Sequence, residues 1–99
     1  MITTKQRAYL RGLANKENAI FQIGKGGITD EIVKEIDIVL EKRELIKITV
    51  LETSFMTARG ACEAICEEIG AEPVQCIGSK FVIYRRAKDK NNRKIELPR

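Results

Sequence analysis

Gly24-Lys25-Gly26-Gly27 is the stretch of this sequence best suited to hold a charged ligand. It lies between an apolar, partly β-branched run, Ala19 to Ile23, and a segment of helical periodicity that opens at Thr29. Glycines let a chain turn tightly and let a bulky ligand come close to the backbone. A helix start offers unpaired N–H groups and a partial positive charge, and both favour phosphate. Lys25 adds a mobile cation at the tip. The same residues would also serve a purely structural strand-to-helix turn. No Lys-Ser/Thr follows the glycines, so this is not a Walker loop. The spacing is also not G-x-G-x-x-G, which argues against a dinucleotide site.

Other chemistries are excluded by what the chain lacks. It has 99 residues and no histidine, which removes His general-base catalysis, Ser-His-Asp and Cys-His nucleophile systems and His-containing metal sites. Its three cysteines do not make a disulfide framework, and Cys62 and Cys66, four apart, read as small buried hydrophobes on one helix face. No enzyme activity, metal or cofactor is expected. There is no Trp, and 3 Phe with 2 Tyr weaken any scheme built on rows of stacked bases. Free thiols, the lack of a signal-like N-terminus and the absence of a long apolar run point to a cytoplasmic protein that does not enter membranes.

Charge is divided along the chain. Residues 1–27 carry five bases against Glu17, residues 28–79 carry five bases against eleven acids, and residues 80–99 carry eight bases against Asp89 and Glu96. Basic ends around an acidic middle suit a polyanionic partner that touches both ends. They equally suit a soluble surface with a basic tail.

The elements that must position these residues are legible from periodicity. Thr3 and Gln6 form a capping box for a helix reaching about Asn15. Ala19–Ile23 is a strand. Thr29 caps a second helix running to about Arg43, and Leu45 to Leu51 alternates as a second strand. Glu52 to Met56 is a loop before a third helix, which runs from about Thr57 to a left-handed stop at Gly70. Two strands, 74–77 and 81–85, flank a tight hairpin at Gly78-Ser79-Lys80. The fold class is α/β (a two-layer α+β arrangement), in the order αβαβαββ. Strands one to three are expected to be parallel and strand four antiparallel, in a mixed four-stranded sheet. The domain is expected at 1–86, with a basic C-terminal tail at 87–99 docking back through 94–98. The carboxyl ends of the parallel strands share one sheet edge, where Lys25, Arg59 and Lys80 are expected to converge.

The Gly24 to Gly27 spacing matches the G-x-x-G clamp by which KH domains hold a nucleic-acid backbone. Beyond that loop, the chain resembles the CRM domain (chloroplast RNA splicing and ribosome maturation), in its single-domain, YhbY-like prokaryotic form. The resemblance rests on Lys5-Gln6-Arg7, Leu10-Arg11-Gly12-Leu13-Ala14, Gln22 to Thr29, Glu35-Ile36 and Glu44 to Ile48. It continues in Val74 to Gly78, Tyr84-Arg85 and Ile95 to Pro98. Asn15 departs from a His often found after the Leu-Ala pair, and Arg43 precedes Glu44 where His-Glu is frequent. The resemblance implies a fold similar to the C-terminal domain of translation initiation factor three. It implies RNA binding through the GxxG loop and nearby basic surface, with ribosomal RNA of the large-subunit precursor as partner, in ribosome assembly.

On that reading Gly24, Lys25, Gly26 and Gly27 form the clamp, and Lys5, Arg7 and Arg11 extend the phosphate track. Lys80, Arg85 and Arg86 contribute from the hairpin and its exit. Lys88, Lys90, Arg93 and Lys94 add non-specific attraction. Phe81 and Tyr84 are read as packing residues. Glu35, Asp37, Glu63, Glu67 and Glu68 would repel RNA and are expected to face solvent or a protein. The chain is expected to act as a monomer, with ribosomal proteins as further partners. Two alternatives remain: a DNA-binding chromatin-type protein, and a protein-interaction module on the ribosome.

Overall fold

Thr3 starts the first helix, α1 (Thr4–Ala14), in a computed structural model that describes residues 2–99. The Gln6 amide donates to the Thr3 hydroxyl at 3.1 Å, and the Thr3 amide donates to the Gln6 side chain at 3.0 Å, completing the expected capping box. The chain continues through β1 (Ala19–Ile23), α2 (Asp30–Arg43), β2 (Leu45–Val50), α3 (Ala58–Ile69), β3 (Glu72–Ile77) and β4 (Lys80–Tyr84). Thr29 and Thr57 cap α2 and α3 in the same manner, accepting from Ile32 at 3.2 Å and Gly60 at 3.0 Å. Gly70, with φ 68°, ends α3.

The sheet order is β1-β2-β4-β3. β1 and β2 are parallel, and β4 is antiparallel to both its neighbours, so β1, β2 and β3 all run one way. The hairpin inserts β4 beside β2 and leaves β3 at the edge. β3 begins two residues earlier than alternation suggests and takes in Pro73. An edge position tolerates a residue with no N–H, and the register shifts between Pro73 and Gln75.

Both sheet faces are covered, which follows from the period of two. Ile46, Ile48 and Val50 of β2 and Phe81 and Ile83 of β4 face α2 and α3, where they meet Ile36, Leu40, Cys62 and Ile65. Leu45, Val82 and Tyr84 point the other way, onto Leu10 and Ala14 of α1. The two-layer description holds for the α2–α3 side. On the second face, α1 joins with Ile95 and Leu97 of the C-terminal segment to form a partial further cover. Phe81 and Tyr84 therefore both lie in the core despite opposite parity. Fully burying a side chain of this size contributes about 1.5–3 kcal/mol.

The C-terminal segment is fastened by two glutamates. Glu44, at φ 66° just past α2, is fully buried. Its carboxylate accepts from the amides of Ala87 at 2.7 Å, Lys94 at 2.7 Å and Ile95 at 3.0 Å. Glu41 accepts from the amides of Lys88 at 2.8 Å and Asp89 at 3.0 Å. Among the described residues no helix is long and apolar enough to cross a membrane.

Candidate nucleic-acid interface

The three parallel strands end together, and their exits build one end of the molecule. Gly24–Gly27 leaves β1, Leu51–Met56 leaves β2, and Gly78-Ser79 joins β3 to β4. The glycine loop is a tight turn closed by the Gly27 amide donating to the Gly24 carbonyl at 2.8 Å. Gly27 adopts φ 66°, the left-handed region in which a Cβ is strained. Lys25 and Gly26 are exposed at the tip. Among the described residues their amides donate to no protein acceptor, and Lys25 forms no ion pair. The turn therefore presents N–H groups and one cation to solvent.

The start of α2 contributes less than its dipole alone suggests. Thr29 already occupies one terminal N–H, and Asp30 and Glu31 fill the first turn with negative charge. The donors this end leaves open are therefore the turn amides and Lys25 rather than the helix start.

The second strand exit abuts the first. A Cβ on Gly24 would touch Leu51 Cδ1 at 3.5 Å and Thr53 Oγ1 at 3.8 Å. The Leu51 amide donates to the Ile23 carbonyl at 2.8 Å. This exit forms a short 3-10 turn, Glu52–Ser54, and then presents Phe55 almost wholly to solvent, at 96% exposure. From the sequence the segment reads as an ordinary loop. The available signal is a large aromatic outside any apolar stripe.

The remaining basic residues fall into separate groups. Lys80 is exposed at the same end as the glycine loop, paired in register with Thr49 and Ile77. It shares a small hollow with Asn15, Lys47, Gln75 and Ile77. Arg7 and Arg11 line another hollow with Arg59 along β3. Arg7 Nε also donates to the Pro73 carbonyl at 3.1 Å. β3 and β1 are opposite edges of the sheet, three strand spacings or about 14 Å apart. Arg59 thus joins the α1 arginines and does not meet Lys25. Lys5 is exposed on the first turn of α1.

Arg85 and Arg86 are not brought to the loop. Arg85 is committed inside the fold. Its guanidinium pairs with Asp37 and donates to the Ile69 and Asp37 carbonyls, each at 3.1 Å. Asp37, expected on an acidic surface facing solvent or a partner, keeps its side chain half exposed while it pairs with Arg85. Arg86 is exposed, but it lies beyond the far end of β4, beside Arg93 and Lys94. Arg93 donates to the Ala87 carbonyl at 2.9 Å.

Electrostatics sharpen the contrast between these places. Burial alone would raise the Glu44 pKa, but the amides of Ala87, Ile95 and Lys94 hold it below the ordinary carboxylate value. The amides of Lys88 and Asp89 lower Glu41 in the same way. A hydrogen bond with Cys66, together with burial, pushes the Cys62 thiol well up. Burial also raises Cys76, on the edge strand. Both thiols are held protonated and are weak nucleophiles.

The profile of the CRS1 / YhbY (CRM) domain matches residues 2–85. The Bacillus subtilis "Probable RNA-binding protein YqeI" is 41% identical over 98 residues, covering 99% of this chain and 100% of that one. A Haemophilus influenzae "RNA-binding protein" is 37% identical over 98 residues, covering 99% and 96%. The solution structure of the Staphylococcus aureus hypothetical protein SAV1595 superposes with a TM-score of 0.77 at 46% identity, covering 99% of this chain and 100% of that one.

Proposed function

Since the chain belongs to the CRS1 / YhbY (CRM) domain family, we propose that it is a non-enzymatic RNA-binding protein. Its partner on this reading is ribosomal RNA of the large-subunit precursor, and its role lies in ribosome assembly in the cytoplasm. The observation that carries the proposal is the exposed turn at Gly24–Gly27. Its tip amides and Lys25 are without protein partners among the described residues. Phosphate oxygens are acceptors that such amides and a lysine can satisfy together. Lys80 at the same end and the separate Arg7–Arg11–Arg59 group along β3 offer further cations to the backbone. Relatives named as RNA-binding proteins along essentially the full chain support RNA over DNA.

Salt titration of binding to a ribosomal RNA fragment tests this. Each phosphate neutralised adds about −0.7 to −0.9 to the log–log slope. Lys25→Glu should lower affinity about tenfold and flatten the slope by roughly one phosphate, with folding unchanged. A preference for duplex DNA in competition, or undiminished RNA affinity in Lys25→Glu and Gly27→Val together, would reject the reading. Co-sedimentation with large-subunit precursors tests the assembly role. Pull-down after nuclease treatment reports on ribosomal proteins as direct partners.

A further inference from the structure

We propose that Phe55 is a stacking platform for one unpaired nucleobase of the RNA whose backbone the Gly24–Gly27 turn holds. The proposal rests on the RNA-binding reading above and adds a selectivity for single-stranded segments.

Phe55 is an unusual residue for its place. It is 96% exposed and its backbone sits at φ 59°, where glycine or asparagine is ordinary and a bulky side chain is strained. Strain of this kind persists only when the surroundings enforce it. Here they do. The Phe55 amide donates to the Glu52 carbonyl at 3.0 Å, the Ser54 hydroxyl donates to the Leu51 carbonyl at 2.7 Å, and the Met56 amide donates to Ser54 Oγ at 3.1 Å. The turn is thus pinned on both sides of the ring, and the ring faces water.

Its neighbours indicate the occupant. The segment bearing Phe55 runs beside the glycine turn, close enough that a Cβ on Gly24 would touch Leu51 and Thr53. The other aromatics are placed elsewhere: Phe81 and Tyr84 are buried, Phe21 packs on the core, and Tyr9 lies on α1. One aromatic face beside one phosphate-holding turn matches a nucleotide with its phosphate on the amides and its base splayed onto the ring. A paired base inside a duplex cannot reach that ring.

The test uses the full chain, a short labelled single-stranded RNA of mixed sequence, and the blunt duplex formed with its complement. Phe55→Ala and Phe55→Asn should weaken single-strand binding by about fivefold to a hundredfold and leave duplex binding within about twofold. The asparagine variant suits the left-handed backbone and so guards against a loss caused by misfolding. Phe55→Tyr should restore affinity. Phe55→Trp introduces the chain's sole tryptophan, and its fluorescence should be quenched by the single strand and not by the duplex. Unchanged single-strand affinity in both ring-deleting variants, or equal losses on both RNAs, overturns the stacking role while the RNA-binding reading stands. Unchanged RNA affinity with lost self-association in sedimentation overturns it in favour of a contact between copies. Failure of the parent chain to bind either RNA overturns both readings.

Discussion

The Gly24–Gly27 turn and the C-terminal segment from Arg85 onward are both basic, yet they hold their hydrogen-bond donors in opposite states. At the turn, the tip amides and Lys25 face water without protein acceptors among the described residues. In the C-terminal segment, five backbone amides are committed to Glu41 and Glu44, and Arg85 and Arg93 are committed to Asp37 and to main-chain carbonyls. A positive charge in a sequence is therefore not the same thing as a positive charge available to a ligand. The first region has few bases and open donors. The second has many bases, and part of its polarity holds the chain end onto the domain.

The sharpest way to break this contrast is to remove Glu44. Glu44→Ala leaves three amides without an acceptor and should destabilise the domain by about 3 kcal/mol or more. Urea denaturation would measure the loss. Loosening of residues 87–97 by NMR, with the resonances of the glycine turn unmoved, would show that the two regions are independent. Arg85→Ala should come next, at about 2 kcal/mol, because it deserts Asp37 and two carbonyls. Its RNA affinity, measured on the folded fraction, should stay within about twofold of the parent, since removing a donor weakens binding only where that donor faces the ligand. A tenfold loss of affinity without loss of stability would instead put Arg85 in the interface.

Acid should separate the regions without mutation. The folded-state pKa values of Glu44 and Glu41 are depressed. Their contribution to stability is therefore fully present above the unfolded carboxylate value and is lost as pH falls through the folded values. Hydrogen exchange would follow this. The amides of Ala87, Lys94 and Ile95 should be protected at neutral pH and lose protection, relative to the intrinsic rate, as pH drops below the ordinary carboxylate value of 4.5. Those of Lys25 and Gly26 should lack protection throughout.

Local signals in this chain are reliable guides. Thr3, Thr29 and Thr57 each cap the helix that follows them, and Gly70 ends α3, because caps act on N–H and C=O groups within a turn of themselves. The alternation of β2 likewise marks Ile46, Ile48 and Val50 as core residues. The glycine turn is legible for the same reason, since its closing hydrogen bond spans only Gly24 to Gly27. Phe55 is not, because the exposure of one ring depends on how the strand exits assemble.

The sequence by itself determined the elements, their order and the glycine turn, all of which follow from interactions between residues near one another in the chain. Only the tertiary structure decided which cations are open. Arg85 meets Asp37 across 48 positions and Glu44 meets Ala87 across 43, and nothing in either neighbourhood of the sequence reports its partner. The sheet brings these groups together with β4 set between β2 and β3. Once buried, a polar group must find an acceptor or donor there, and that requirement draws the C-terminal segment and Arg85 into the fold while the glycine turn remains outside it.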